Sequence, residues 1–259
     1  SSVVRLAFGE ATDVPVPGDY DGDGFMDLAV FRRATGRWFI DTNLDGATDL
    51  AVTLRRPEGV PVPGDYDGDG VTDVAIFWPS AGRWVIDLDR DGVLDVSIAF
   101  GAAGDVPVPA DYDGNGTTDL GLFRRSQARW LIDLDRDRRP DVNVVFGNRR
   151  SVPMPADYDG DGAADLAVFV PKRGRWFIDT NRNGFSDRRM LFGASGDVPI
   201  SGDYDGNGKD DPGVFRPTTA RWLIDLDTNG VPDLTIGFGR PGDVPLRPNG
   251  WILDVLGVR

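Results

Sequence analysis

The chain contains no cysteine and no histidine. Disulfides, thiol nucleophiles, the usual zinc sites and any Ser-His-Asp triad are excluded with them. Lysine is nearly absent too, Lys172 and Lys209 being the only two, so the basic side chains are almost all arginine. No apolar run approaches the roughly 18 residues of a membrane span, and nothing resembles a signal peptide. The chain opens on Ser1 and Ser2, as a mature or trimmed product would. With 28 basic against 42 acidic residues the formal charge is −14, which argues against nucleic acid or an anionic membrane as the main partner. Glycine (34) and proline (19) are abundant in the 259 residues, which fits an all-β chain full of tight turns.

Self-comparison decides the architecture. GDYDGDG at 18–24 returns at 64–70, with close variants at 110, 156 and 202. Tyr20, Tyr66, Tyr112, Tyr158 and Tyr204 recur at a step of 46, and so do Trp38, Trp84, Trp130, Trp176 and Trp222. Five units, 10–55, 56–101, 102–147, 148–193 and 194–239, follow without insertion or deletion. Each reads as four short strands, in the first unit about 14–17, 27–32, 37–41 and 49–54. The second and third strands are apolar on both faces, as inside stacked sheets, and the variable fourth is expected at an exposed edge. Four strands in such a repeat predict a β-propeller blade; the coils of a parallel β-helix are shorter. The terminal segments 1–9 and 240–259 match a fourth, a first and a third strand of a further unit. One propeller domain is therefore expected, with an incomplete sixth blade built from both termini; five blades with packed tails is the alternative.

Each unit carries two loops of pattern D-x-D-x-D-G-x-x-D. Oxygens at positions 1, 3, 5 and 9 and a backbone carbonyl at 7 surround one hard cation, and glycine at 6 permits the sharp turn. The first loops supply Asp19, Asp21, Asp23 and Asp27 with the Phe25 carbonyl, and Asp65, Asp67, Asp69 and Asp73 with that of Val71. They continue with Asp111, Asp113, Asn115 and Asp119 (Thr117), Asp157, Asp159, Asp161 and Asp165 (Ala163), and Asp203, Asp205, Asn207 and Asp211 (Lys209). The second loops supply Asp41, Asn43, Asp45 and Asp49 (Ala47) and Asp87, Asp89, Asp91 and Asp95 (Val93). They continue with Asp179, Asn181, Asn183 and Asp187 (Phe185), and Asp225, Asp227, Asn229 and Asp233 (Val231). All-oxygen ligation by flexible loops favours calcium over zinc, copper or magnesium.

Of the 42 acids, 34 sit at the ligand positions of the ten loops, so unfilled loops would crowd like charges and filled ones bring the chain near neutrality. About nine calcium sites are expected. The Asp179 loop, with only two acids, is expected to bind weakly. The tenth loop (Asp133, Asp135, Asp137, Asp141) has Arg138 in place of the turn glycine and is set apart as doubtful.

Through its Phe-Gly pairs, the VPVPGDYDGDG stretch and the DxDxDGxxD loops, the sequence resembles the FG-GAP/VCBS repeat family, whose calcium-bearing propellers include the integrin α-subunit head. The resemblance spans the five units and implies a secreted or surface calcium propeller used in adhesion or carried beside other domains. The units here are shorter than integrin blades and carry two acidic loops instead of one. The second loops also look like dockerin or thrombospondin calcium loops, without a helical pattern around them.

In an up-and-down blade both loops lie at one end, so the acids gather on one face of the disc. The opposite face, from the second–third and inter-blade loops, holds 17 of the 28 basic residues. Arg32, Arg33, Arg124, Arg125, Arg149 and Arg150 are its candidate partner contacts, with Trp78, which breaks the repeat at that tip. The repeated tryptophans are read as blade packing. No acid, serine or tyrosine cluster stands apart from the ligand pattern, so no catalytic residue is assigned. The expectation is a non-catalytic, extracellular or cell-surface protein with a structural, adhesive or self-assembling role. Its partners would be calcium and another copy, a surface glycan or a protein; the alternative is a lectin-like module reading anionic glycans through the arginine face.

Overall fold

The computed structural model describes residues 5–54 and 59–245. Among these there is no helix; they form five antiparallel four-stranded sheets, each in sequence order, arranged as a β-propeller. Blade 1 is β1 (Val14–Pro15), β2 (Leu28–Arg32), β3 (Arg37–Asp41) and β4 (Leu50–Thr53). Blade 2 is β5 (Val60–Pro61), β6 (Val74–Trp78), β7 (Arg83–Asp87) and β8 (Val96–Ala99). Blade 3 is β9 (Val106–Pro107), β10 (Leu120–Arg124), β11 (Arg129–Asp133) and β12 (Val142–Val145). Blade 4 is β13 (Val152–Pro153), β14 (Leu166–Val170), β15 (Arg175–Asp179) and β16 (Arg188–Leu191). Blade 5 is β17 (Val198–Gly202), β18 (Asp211–Arg216), β19 (Arg221–Ile224) and β20 (Leu234–Gly237).

The repeated aromatics are packing residues. Each blade opposes Phe on its second strand to Trp on its third, Phe31 to Trp38 in the first, with ring centroids 5.1 to 5.3 Å apart and tilted. Trp84, Trp130, Trp176 and Trp222 donate their indole N–H to the carbonyls of Phe100, Phe146, Phe192 and Phe238, the phenylalanines of the Phe-Gly pairs. The buried tyrosines close the other end: Tyr20, Tyr66, Tyr112 and Tyr158 donate to the carbonyl four residues back. The fourth strands alternate between covered and exposed residues, as edge strands do.

Blades are joined by one recurring hydrogen bond. The carbonyl of the first aspartate of each first loop accepts the amide just before the ninth-position aspartate of the next blade. Asp19 accepts from Thr72, Asp65 from Thr118, Asp111 from Ala164 and Asp157 from Asp210, at 2.6 to 2.7 Å. The approach explains the small residue before that aspartate: a Cβ on Gly18 or Gly64 would sit 2.7 Å from the Thr72 or Thr118 side chain. The series has two ends, since among the described residues no such bond joins Asp203 of blade 5 to Met26 of blade 1. Tyr204 is accordingly 38% exposed and Met26 49%, where their counterparts in the middle blades are covered. The described parts of the expected sixth unit, 5–9 and 240–245, contain no strand, and its remainder, 1–4 and 246–259, lies outside the described residues.

Candidate metal centres

The strand order puts the β1–β2 and β3–β4 types of connection at the same end of every blade, so ten acidic loops gather on one face. Each folds around its own carboxylates. In the first loop of blade 1, Asp19 accepts the amides of Gly22 (2.7 Å) and Gly24 (2.8 Å), and Asp23 that of Phe25 (2.8 Å). Asp27 accepts that of Tyr20 at 2.7 Å. The same bonds recur around Asp65, Asp111, Asp157 and Asp203. In the second loops Asp41, Asp87, Asp179 and Asp225 take the amide of the turn glycine, Gly46, Gly92, Gly184 and Gly230.

In loops with an aspartate at position 3, carboxylate oxygens from positions 1, 3 and 9 converge to within 4.8 Å of one another. Asp19, Asp21 and Asp27 form one such triad; others are Asp65, Asp67 and Asp73; Asp87, Asp89 and Asp95; Asp111, Asp113 and Asp119; and Asp133, Asp135 and Asp141, with three more among the described residues. Asp23, at position 5, lies outside its triad, its Oδ1 holding the Phe25 amide. At position 7 the exposed side chains of Phe25, Val93, Phe185 and Val231 leave only the backbone to face the loop, and among the described residues those carbonyls accept no hydrogen bond.

A second feature singles out the loop interiors. Asp73, Asp119 and Asp165 are fully buried at position 9, and Asp87 and Asp133 at position 1. In each, Oδ2 accepts a backbone amide while the buried Oδ1 has no hydrogen-bond partner. A buried unpaired carboxylate oxygen costs on the order of 1–3 kcal/mol or more, and native proteins leave few of them. Burial, followed by the neighbouring carboxylates, pushes Asp73, Asp119 and Asp165 up to about 7 and Asp27, Asp87 and Asp211 up to about 6. Asp133, Asp179 and Asp225 are raised by burial as well. Asp203 departs from the pattern, held low by the amides of Gly208 and its loop neighbours. Only Asp73 Oδ1 has a cation near it, Arg90 at 3.8 Å; a divalent ion inside the loop would give these oxygens a partner, and the donor set of carboxylates with one carbonyl suits a hard ion such as calcium.

The Asp133 loop, expected to be compromised by Arg138, has the same arrangement as the others. Arg138 takes the glycine's left-handed backbone at φ +77°, and its amide still binds Asp133 Oδ2 at 2.9 Å. The Asp179 loop holds two carboxylates, and Asn181 spends its Nδ2 on Asp187 at 3.1 Å.

The position-4 residue carries a signal that pattern reading missed. It is left-handed in both loop types: Gly22, Gly68, Gly114, Gly160 and Gly206 in the first loops, and Leu44, Arg90, Arg136, Arg182 and Thr228 in the second. In blades 1, 2 and 4 the next blade also presses on this glycine; a Cβ on Gly22 would meet Val71, and one on Gly68 would meet Thr117, at 3.0 Å. The second loops are free to carry arginine there, and it reaches the neighbouring first loop. Arg90 lies 3.8 Å from Asp73, Arg136 donates to the carbonyls of Tyr66 and Thr118, and Arg182 donates to that of Ala164 at 3.2 Å. These arginines of the acidic face tie loop to loop.

On the opposite face the expected contact residues divide. Arg32 forms a two-pronged pair with Asp13 (3.0 and 2.9 Å) and Arg124 with Asp105 (2.8 Å each). Arg216 does the same with Asp197. The side chain of each acid is covered and also caps its own turn, Asp13 accepting the Glu10 amide and Asp105 that of Ala102. Arg32 and Arg124 are therefore bound within their blades. Trp78, half-buried, occupies the same position in blade 2. Arg33 and Arg125 are half-exposed, and Arg149 and Arg150 exposed.

In sequence, no protein-family model and no curated protein matches the chain. Solved structures do. A lectin of Agrocybe aegerita, studied for its recognition of non-reducing terminal N-acetylglucosamine, superposes with a TM-score of 0.59 at 15% identity, covering 88% of this chain and 67% of the lectin. A Bacteroides caccae protein of unknown function gives 0.52 at 12%, covering 86% and 73%. Citrobacter koseri AztD gives 0.50 at 13%, covering 88% and 72%. At such identities the likeness is one of fold, and the chain is a β-propeller of four-stranded blades.

Proposed function

We propose that this chain is a calcium-loaded propeller that works outside the cell as a structural, adhesive or self-assembling element and catalyses nothing. The observation that carries the reading is the set of buried oxygens without a hydrogen-bond partner on Asp73, Asp87, Asp119, Asp133 and Asp165, each inside an acidic loop. A saturated oxygen site leaves no open position for a reacting group, whereas many filled sites make a rigid, calcium-dependent disc. Millimolar calcium, the extracellular condition, fills even the weaker loops. The FG-GAP/VCBS resemblance agrees with this reading in its repeat motifs. Light scattering in millimolar calcium and after chelation tests it. An assembly larger than the 28.1 kDa chain that dissociates on chelation is expected. A monomer under both conditions would contradict the assembling role.

A second reading, recognition of anionic glycans by the arginine-bearing face, is favoured by one observation: a cationic cleft centred on blade 4. That the Agrocybe lectin binds a saccharide on a related architecture is compatible with it.

A further inference from the structure

Blade 4 departs from its siblings on the face opposite the acidic loops. Where blades 1, 3 and 5 place an aspartate and an arginine in a buried pair, blade 4 has Ser151 and Val170. Ser151 keeps the structural half of the aspartate's role, its Oγ accepting the Asn148 amide at 3.0 Å as Asp13 accepts that of Glu10. The negative charge is gone and the turn survives. Loss of the arginine opens space. In blade 1, Arg32 and Arg37 lie over the Phe39 ring, 4.5 and 4.8 Å from its centroid. In blade 4 the equivalent ring, Phe177, has Val170 in place of the first arginine, and a cleft of about 720 Å³ lies there, lined also by Arg175.

The rim gains cations as the interior loses its acid. Lys172 and Arg173 stand where the other blades have Ala, Ser, Gln or Thr, and Arg150 stands where blades 1, 3 and 5 have Thr12, Gly104 and Gly196. With Arg125 from blade 3 and Arg175, five cations and no acid line the cleft, in a chain of net charge −14. Among the described residues Arg150, Lys172, Arg173 and Arg175 join no ion pair. A concave site with an aromatic floor and several guanidinium groups matches a ring-shaped ligand bearing planar anionic groups: the ring lies on Phe177 and Val170, and the forks hold carboxylate or sulfate.

We propose that this blade 4 cleft is a binding site for an acidic saccharide, one whose sugar rings carry carboxylate or sulfate. The proposal rests on reading the arginine-bearing face as a recognition surface and assigns that recognition to one blade. The variant S151D/V170R rebuilds in blade 4 the pair that blades 1, 3 and 5 already hold, so it fills the cleft without removing a structural contact; K172A/R173A strips the rim.

Titration calorimetry in millimolar calcium, with unchanged melting temperatures as the check on folding, compares four probes. These are a heparin-derived hexasaccharide, a trigalacturonate, a neutral N-acetylglucosamine trimer and a single-stranded oligonucleotide of matched charge. Binding of at least one acidic probe, weakened tenfold or more by each variant, with none for the neutral trimer, is expected; the stronger acidic probe tells sulfate from carboxylate. Acidic binding that survives both variants overturns the cleft while leaving recognition by the face standing. No acidic binding at millimolar probe overturns both. Equal or tighter binding of a single-stranded oligonucleotide of matched charge overturns the saccharide assignment.

Discussion

Tyr66 and Asp73 meet at the base of an acidic loop: the tyrosine amide donates to Asp73 Oδ2 at 2.7 Å, while the buried Oδ1 of the same carboxylate accepts nothing. The hydrogen bond fixes the carboxylate in one orientation, with its second oxygen turned toward Asp65 and Asp67. Tyr112 with Asp119 and Tyr158 with Asp165 repeat it. The fold therefore fixes the direction of that carboxylate oxygen, which is the arrangement the proposed calcium site requires.

Replacing such an aspartate by its neutral isostere should act in opposite directions in the two states. Asp165→Asn retains an acceptor for the Tyr158 amide but removes a buried charge and one carboxylate of the proposed calcium site. Without calcium the variant should melt several degrees above the parent, at about 2–4 °C per kcal/mol for a chain of this size. In millimolar calcium it should melt below the parent. Paired melting curves check the crossing; a variant less stable in both conditions would show that the carboxylate acts through packing alone.

The pH dependence should also invert with calcium. Asp73, Asp119 and Asp165, at about 7, and Asp27, Asp87 and Asp211, at about 6, lie above the unfolded value of 3.8. Between those limits the folded chain binds more protons than the unfolded one, so in calcium-free buffer stability should fall as pH rises from about 4 to 7 and level off above. With calcium, protons compete for the ligand oxygens, and stability should rise across the same interval. Melting temperature against pH, with and without the ion, measures both slopes.

Blade 4 supplies the design for a third experiment. Asp105→Ala leaves Arg124 facing an unpaired site and an uncapped turn, and should cost roughly 1–3 kcal/mol. The double change D105S/R124V installs the residues blade 4 uses and should recover most of that loss. Denaturant melts of the single and double variants give the coupling directly.

Arg138 holds a left-handed backbone that glycine adopts without strain. Arg138→Gly should therefore stabilise the chain by about 1 kcal/mol, with the Asp133 carboxylates still converging. A loss of stability would mean that the Arg138 side chain makes a contribution larger than the backbone strain.

One blade per repeat, the strand order and the gathering of carboxylates in each loop were legible because a 46-residue step without insertions exposes strand periodicity and loop composition together. The ion pairs on the far face were written there too, though less openly. Asp13, Asp105 and Asp197 and their arginines 19 residues on are present together in units 1, 3 and 5 and lost together in 2 and 4, as Gly59 with Trp78 and Ser151 with Val170. Read singly, Arg32 and Arg124 look like surface contacts; read as pairs, they are internal. The tolerance of the Asp133 loop for Arg138 was not legible, because the loss of a turn glycine signals strain but not whether the carboxylates still converge. Nor does a motif show that Asp119 turns one oxygen to Tyr112 and leaves the other without a hydrogen bond.

The most direct test of a calcium-held propeller is its melting temperature in one millimolar calcium against the same protein in excess chelator. A site filled at about a hundred times its dissociation constant adds ~2.7 kcal/mol, so several filled loops should raise the transition by well over 10 °C. An identical melting temperature in both buffers would mean that the acidic loops are solvated turns and that the disc stands without metal.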